Sequence, residues 1–294
     1  MTKRTLLLGL LICCLASCNG FKTTLPSELT LVATPAPSVT PASTPLPSPV
    51  ATVVPTITFA PRPGDTGWRS LDVGLETRQI DLRLVGRLVD RLSLVRIDPA
   101  DYRFEIAYDA DHPKSIADWQ QQTGARLVFN GGFFQVQNGR YLPAGLLVVD
   151  GQTIGSSYSG YGGMFTVSAD GPALRWLVQD PYRPGEPLQF ALQSFPILVK
   201  PGGLPGFPAE KEDNMIARRT VLGRDRAGRF IVLVTSSSYF TLYRLSAYLA
   251  ASDLDLDIAL NLDGGPSSGL ALAGPQLLVP ATSALPIVIA VFPR

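Results

Sequence analysis

Ile258-Ala259-Leu260-Asn261-Leu262-Asp263-Gly264-Gly265-Pro266-Ser267-Ser268-Gly269-Leu270 runs an apolar strand into a glycine-hinged turn and a pair of serines. Alternation puts Asn261 and Asp263 on one face of the strand end and Leu260 and Leu262 on the other. Gly264 and Gly265 let the backbone approach a ligand without a Cβ clash and can turn amide N–H groups toward an anion. A carboxylate beside such amides suits a sugar or a phosphate. Asp-Gly-Gly is equally a common tight turn, so the reading needs partners elsewhere in the chain.

Leu127-Val128-Phe129-Asn130-Gly131-Gly132-Phe133-Phe134 repeats the arrangement: a strand ends in an amide side chain, two glycines and aromatics. Two such ends can converge on one pocket, with Phe133 and Phe134 either flooring a sugar ring or filling the core. A third run, Ala217-Arg218-Arg219-Thr220-Val221-Leu222-Gly223, supplies adjacent arginines. Neighbouring strand side chains point to opposite faces, so only one of them can enter a given pocket. Arg219 is assigned that place, where a guanidinium is a bidentate clamp for a phosphodiester. A strand arginine also serves simply to cover a sheet face.

Around these motifs the chain is a series of short strands. RLSLVRI alternates polar and apolar positions up to Asp98-Pro99, and RFEIAY, RLVFN, GLLVVDG, MFTVSAD, ILVK, RFIVLVTSS, IALNLD and PIVIAVF follow. Two stretches read as helices: Lys114 to Thr123, closed by Gly124, and Phe240 to Ala251, with Leu242, Leu245 and Leu249 on one stripe. Strands outnumber helices and do not alternate with them. The expected class is α+β: one domain, 67–294, with a large mixed or mostly antiparallel sheet and few helices.

The N-terminus has another composition. Lys3 and Arg4 precede an apolar run, Leu6 to Leu15, too short for a stable membrane span and laid out like an export signal. It ends in Leu15-Ala16-Ser17-Cys18, which resembles the lipobox of bacterial lipoproteins. Residues 1–18 are therefore expected to be a signal peptide, with Cys18 acylated and the protein held at an extracytoplasmic membrane face, cell surface or periplasm. Residues 19–66 are dominated by Pro, Thr, Ser, Ala and Val and read as a disordered stalk. A stalk of about 45 residues in extended form reaches on the order of 140 Å.

Composition also prunes the chemistry. A formal net charge of +1 gives no whole-chain case for nucleic acid. Cys13 and Cys14 fall in the removed segment, which excludes a catalytic cysteine and thiolate metal sites. His112, the single histidine, lies in the turn-like Asp109-Ala110-Asp111-His112-Pro113, and a His-rich zinc site cannot be built. Ser267 and Ser268 have no G-x-S-x-G context, and no lysine follows the glycines as in a P-loop.

The motifs together resemble the phosphodiester glycosidase domain family. The resemblance rests on NGGFF at Asn130 to Phe134, QSFPILVKPGG at Gln193 to Gly203, ARRTVLGRDRAGRF at Ala217 to Phe230, the block YFTLYRLSAYLAASDLDLDIALNLDGGPSSGL and the closing LPIVIAVFPR. It runs from about Leu75 to Arg294, and it implies a hydrolase cleaving a sugar from a glycosyl-1-phosphodiester or a related envelope glycan. On that basis Asp263 is the candidate nucleophile, water-activating base or electrostatic stabiliser. Arg219, with the Gly264 and Gly265 amides, would hold the phosphate. Asn130, Gly131, Gly132, Asn261 and Ser267 complete the expected substrate-binding set. The motifs fix no cofactor, and Asp263, Asn261 and carbonyls form a candidate Ca²⁺ set. Glu210, Glu212 and Asp213 are the nearest second carboxylates. The rival reading is a non-catalytic glycan-binding or envelope-scaffold lipoprotein using the same cleft.

Overall fold

The computed structural model describes residues 63–158, 160, 162–274 and 277–294; the expected signal peptide, Cys18 and the stalk up to residue 62 lie outside the described residues. The strands, in chain order, begin with β1 (Arg69–Asp72), β2 (Leu75–Leu84), β3 (Arg87–Ile97), β4 (Tyr102–Tyr108) and β5 (Leu127–Asn130). Next come β6 (Phe134–Gln137), β7 (Arg140–Pro143), β8 (Leu147–Val149), β9 (Gln152–Ile154) and β10 (Gly163–Ser168). They continue with β11 (Gly171–Trp176), β12 (Phe190–Ser194), β13 (Ile197–Lys200), β14 (Leu204–Pro205) and β15 (Thr220–Asp225). The last are β16 (Phe230–Thr235), β17 (Leu256–Asn261), β18 (Leu270–Leu272), β19 (Leu277–Val279) and β20 (Ile287–Pro293).

Hydrogen bonding orders them into an eight-stranded sheet, β1-β2-β3-β16-β15-β17-β13-β14, and two five-stranded sheets, β19-β18-β5-β20-β4 and β11-β10-β12-β8-β9. A two-stranded ribbon, β6-β7, stands apart. Strand pairing is antiparallel, as in β15 with β17 and β20 with β5. The α+β expectation holds, with the sheet content divided among several sheets.

Alternation decides which face each residue serves. Leu222, Leu260 and Leu262 join the largest core with Phe129, Ile289, Phe165 and Leu192 from the two smaller sheets. Val221 and Ala259 face the other way, under the helix α2 (Leu242–Ala251), where Leu245 and Leu249 cover them. The three sheets meet at Phe104, Phe230 and Phe165, whose ring centroids lie 5.0 to 5.9 Å apart. Full burial of each such ring contributes about 1.5–3 kcal/mol.

Both helices begin two residues later than their sequence periodicity suggests. Lys114 pairs with Leu285 as an isolated bridge, so α1 (Ile116–Thr123) starts at Ser115, whose hydroxyl accepts from the Asp118 amide. Gly124 ends it in the left-handed region at φ 66°. Phe240 likewise bridges Ala217, and the Thr241 hydroxyl caps α2 by accepting from the Arg244 amide. The described sheet contacts begin at Asp65, opposite Ile80, inside the segment assigned to the stalk.

Candidate active site

The two Gly-Gly strand ends meet. Asn130, at the end of β5, donates from Nδ2 to the main-chain oxygen of Asp263 at 2.7 Å. The Asp263 N–H returns to the oxygen of Gly131 at 3.1 Å. Asn130 Oδ1 accepts from the Thr220 hydroxyl at 2.7 Å and from the Gly269 amide at 3.1 Å. With a weaker contact from Nδ2 to the Gly131 oxygen at 3.3 Å, the carboxamide is fully engaged by protein. Expected to bind sugar hydroxyls, Asn130 instead ties β5, β15 and both limbs of the Asp-Gly-Gly turn together.

The glycines divide by role. A Cβ at Gly131 would stand 2.6 Å from the Ile287 methyl, and one at Gly132 would stand 3.1 Å from the Gln193 oxygen. Packing against β20 therefore leaves no room for a side chain at Gly131 unless Ile287 shifts, while the fit of Gly132 against β12 is tight. Gly264 donates to the Asp263 carboxylate at 2.8 Å, and Gly265 donates to the Arg218 oxygen at 2.8 Å. Those amides, expected to cradle an anion, are already committed to protein acceptors. Gly265 has φ +58° with open space around it, so the turn needs its conformation alone.

Arg218 and Arg219 point to opposite faces, as alternation requires. Arg218 lies on the side of the main core, and its Nη2 donates to the oxygens of Ser268 at 2.8 Å and Pro280 at 3.0 Å. Arg219 lies on the α2 side, donating from Nε to the Phe240 oxygen at 3.2 Å and from Nη2 to the Met215 oxygen at 2.8 Å. Burial depresses its pKa, against the charges of Asp213 and Glu212. The register Val221–Asn261, extended through the bond from the Leu262 amide to the Thr220 oxygen, sets the Arg219 and Asp263 backbones across from each other.

Asp263 is half-buried, and burial raises its carboxyl above the ordinary value of 3.8, opposed by the Ser267 hydroxyl and the Gly264 amide. Ser267 Oγ also lies 3.4 Å from Ser283 Oγ. Asn261, only 2% exposed, donates from Nδ2 to the Phe195 oxygen at 3.0 Å, and its Oδ1 is a buried acceptor without a partner among the described residues.

Phe195, grouped with Tyr158 and with the Phe133 already expected as a sugar floor, has no local sequence signal of its own. Its ring stacks on Phe133 at 4.6 Å and meets Tyr158 edge-on at 5.7 Å; all three are partly exposed. Gln193 fixes this platform, because its Oε1 accepts from the Tyr158 and Leu146 amides and its Nε2 donates to the Tyr158 oxygen. Phe134 turns instead onto Tyr141, at 5.7 Å.

The acidic residues near the site hold structure. Glu212 accepts from the Thr241 hydroxyl and the Asn214 amide, which anchors the loop before Arg219 to the start of α2. Asp90, which sequence reasoning missed, is 1% exposed and accepts the amides of Arg91, Ser236 and Ser237 on Oδ1. Burial raises its pKa, opposed first by those three amides and then by the charge of Arg218. Among the described residues no group of three or more His, Cys, Asp or Glu side chains is placed to hold a metal ion.

Comparison with known proteins speaks for the family and the fold. The sequence profile of the phosphodiester glycosidase family matches residues 123–292, more than half of the chain. The mouse N-acetylglucosamine-1-phosphodiester alpha-N-acetylglucosaminidase is 26% identical over 180 residues, covering 54% of this chain and 34% of its own length. The chain thus spans about a third of that curated relative. The zebrafish N-acetylglucosamine-1-phosphodiester alpha-N-acetylglucosaminidase catalytic domain, auto-inhibited by pro-peptide, matches with a TM-score of 0.61 at 18% identity, over 77% of this chain and 86% of that one. A hypothetical protein from Synechocystis gives 0.52 at 16% identity, over 76% and 62%. At those identities the two structures speak for the fold. The chain belongs to the phosphodiester glycosidase family.

Proposed function

We propose that this protein hydrolyses a glycosyl-1-phosphodiester at the anomeric carbon, an N-acetylglucosamine diester being the first substrate to try. The observation that carries the reading is Asp263: a half-buried carboxyl, raised by burial, on a turn locked to Asn130 and lying across from Arg219. Water attacks C1 of the sugar, the C1–O bond to phosphorus breaks, and the phosphate monoester departs without needing a strong general acid. The Asp263 carboxylate takes the proton from water or offsets the positive charge that develops on the sugar ring. Arg219 holds the phosphate, and Phe133 with Phe195 offers a flat face to the sugar. Asn130, Asn261 and Ser267 position these groups. We extend the reading to location: Cys18 carries a lipid anchor, and the domain works on the extracytoplasmic side of a membrane.

The test is to incubate the purified protein with a diester of N-acetylglucosamine 1-phosphate and measure free reducing sugar. Asp263→Asn should lower kcat by about 10²–10⁴-fold. Full turnover by that variant would remove Asp263 from the mechanism. Binding of the diester without sugar release would make the protein a glycan-binding module.

A further inference from the structure

The tip of the β2–β3 hairpin is built against its own conformational preference. Val85 and Gly86 form its two-residue turn, both with positive φ, 48° and 78°. Such turns favour Asn-Gly, and a β-branched residue at positive φ is strained. Val85 is nevertheless valine, and it is 95% exposed. Leu84 and Leu88 beside it are 58% and 48% exposed. Neither local geometry nor burial in this domain accounts for three apolar side chains there. Arg83, Arg87 and Arg91 surround them, against the carboxylate of Asp81, which Arg91 contacts at 2.6 Å and Arg83 at 3.5 Å, and the buried carboxylate of Asp90.

The sheet register gives this tip a direction. Leu92 pairs with Thr235 at the end of β16, Val234 with Thr220 at the start of β15, and Val221 with Asn261 at the end of β17. The hairpin tip and the Asp263 turn therefore share one end of the eight-stranded sheet. From Leu92 to Arg87 the hairpin runs five residues past its neighbour, about 17 Å. The upstream chain joins at that end too. Gly64 accepts from the Asp81 amide at 2.7 Å and Thr66 donates to the Gln79 oxygen at 3.0 Å, so tracing the chain backward leads along β2 toward the tip.

We propose that the β2–β3 hairpin tip docks this domain on an anionic lipid surface, with the end of the sheet that carries Asp263 turned toward it. Leu84, Val85 and Leu88 enter the interface between headgroups and acyl chains, and the arginines pair with lipid phosphates. The expected acylated Cys18 lies upstream of a chain that joins the domain at the same end. The docking stands apart from the hydrolysis reading, since it needs no turnover. If both hold, the substrate is a sugar phosphodiester carried on a lipid.

The experiment uses the chain from Asn19 onward, so that neither the expected signal segment nor an acyl chain contributes, and vesicles of phosphatidylcholine with or without phosphatidylglycerol. Val85→Asn suits the turn better than valine, so it should keep or raise the melting temperature while weakening vesicle binding by about tenfold. Arg87→Gln should weaken binding to the phosphatidylglycerol vesicles alone, and the loss should shrink as salt rises. A Val85→Trp variant should shift its emission to the blue on those vesicles. Co-sedimentation unchanged by Val85→Asn, or no shift from Trp in place of Val85, overturns the proposal. So does a dimer in vesicle-free solution that Val85→Asn dissociates, because the tip would then seat a second copy. Failure of turnover on soluble diesters leaves these readouts untouched and bears on the hydrolysis reading alone.

Discussion

The side chain of Asn130 donates to the main-chain oxygen of Asp263 at 2.7 Å across 133 residues of sequence. The bond reaches the backbone of the acidic residue, so Asn130 sets where the carboxylate stands without touching it. Replacing Asn130 with Ala would strand the Thr220 hydroxyl and the Gly269 amide in a buried place. Each stranded group costs about 1–3 kcal/mol. Urea denaturation of Asn130→Ala should show a loss of about 2–6 kcal/mol for the two groups together, with turnover falling further than the unfolded fraction explains.

The pH dependence of Asp263 has a definite sign. Its folded pKa lies above the unfolded value because burial disfavours the charge. The unfolded chain therefore gives up this proton first, and the residue's contribution to stability declines as pH rises from the ordinary carboxylate range through the folded pKa. Asp263→Asn, if inactive, should match or exceed the wild type in melting temperature at neutral pH and lose that advantage in acid. In the active enzyme the acid limb of kcat/KM should fall above the ordinary carboxylate range.

Asp109 runs the other way. The Lys114 ammonium beside it holds its carboxyl down at about 2, aided by the His112 and Asp111 amides. Its contribution is present above the unfolded carboxylate value and is lost as pH falls through about 2. The side chains of the pair remain 22% and 29% exposed, so solvent still screens them and Asp109→Asn should destabilise by about 1 kcal/mol at neutral pH. The difference should vanish near pH 2 in an acid-unfolding series.

The two arginines should separate by phenotype. Arg218→Lys removes a grip on the Ser268 and Pro280 oxygens, which brace the far limb of the turn. Hydrogen bonds to a charged group contribute about 1.5–3 kcal/mol, so the urea midpoint should fall. Arg219→Lys keeps a charge near the substrate but loses the fork, so KM for a phosphodiester should rise more than stability falls.

The glycines offer a matched contrast. Gly131→Ala forces a methyl against Ile287 and should cost about 1–3 kcal/mol by overpacking. Gly265→Ala meets no neighbour and should cost only the strain of its positive φ, about 1 kcal/mol. Chemical denaturation of both variants measures the difference.

Much of this arrangement was legible in the chain. Asn130 and Asp263 stand out because each ends an apolar run at Gly-Gly, a local pattern that survives folding. Alternation alone foretold that Arg218 and Arg219 would part company. Their partners were not legible, since the oxygens of Phe240, Met215, Ser268 and Pro280 are main-chain acceptors that no side-chain pattern announces. Phe195 and Tyr158 were hidden for the same reason: only the β12 register and the Gln193 amide bring them to Phe133. Asp90 reads as one more solvent-facing strand residue until the Ser236–Ser237 backbone folds over it. The helix starts were misjudged because Lys114 and Phe240 each find a strand-like partner, Leu285 and Ala217, that overrides helical periodicity.

The place of β20 between β5 and β4 has a consequence for how the molecule comes into being. Val288, Ile289, Ala290 and Val291 are the strand partners of the segment ending in Asn130, and they are made after every other described strand. Until they emerge, that segment has an open edge and the hinge around Asp263 has nothing to brace it. A nascent chain that has yet to make β20 therefore holds the other described strands while the hinge between Asn130 and Asp263 is still unbraced.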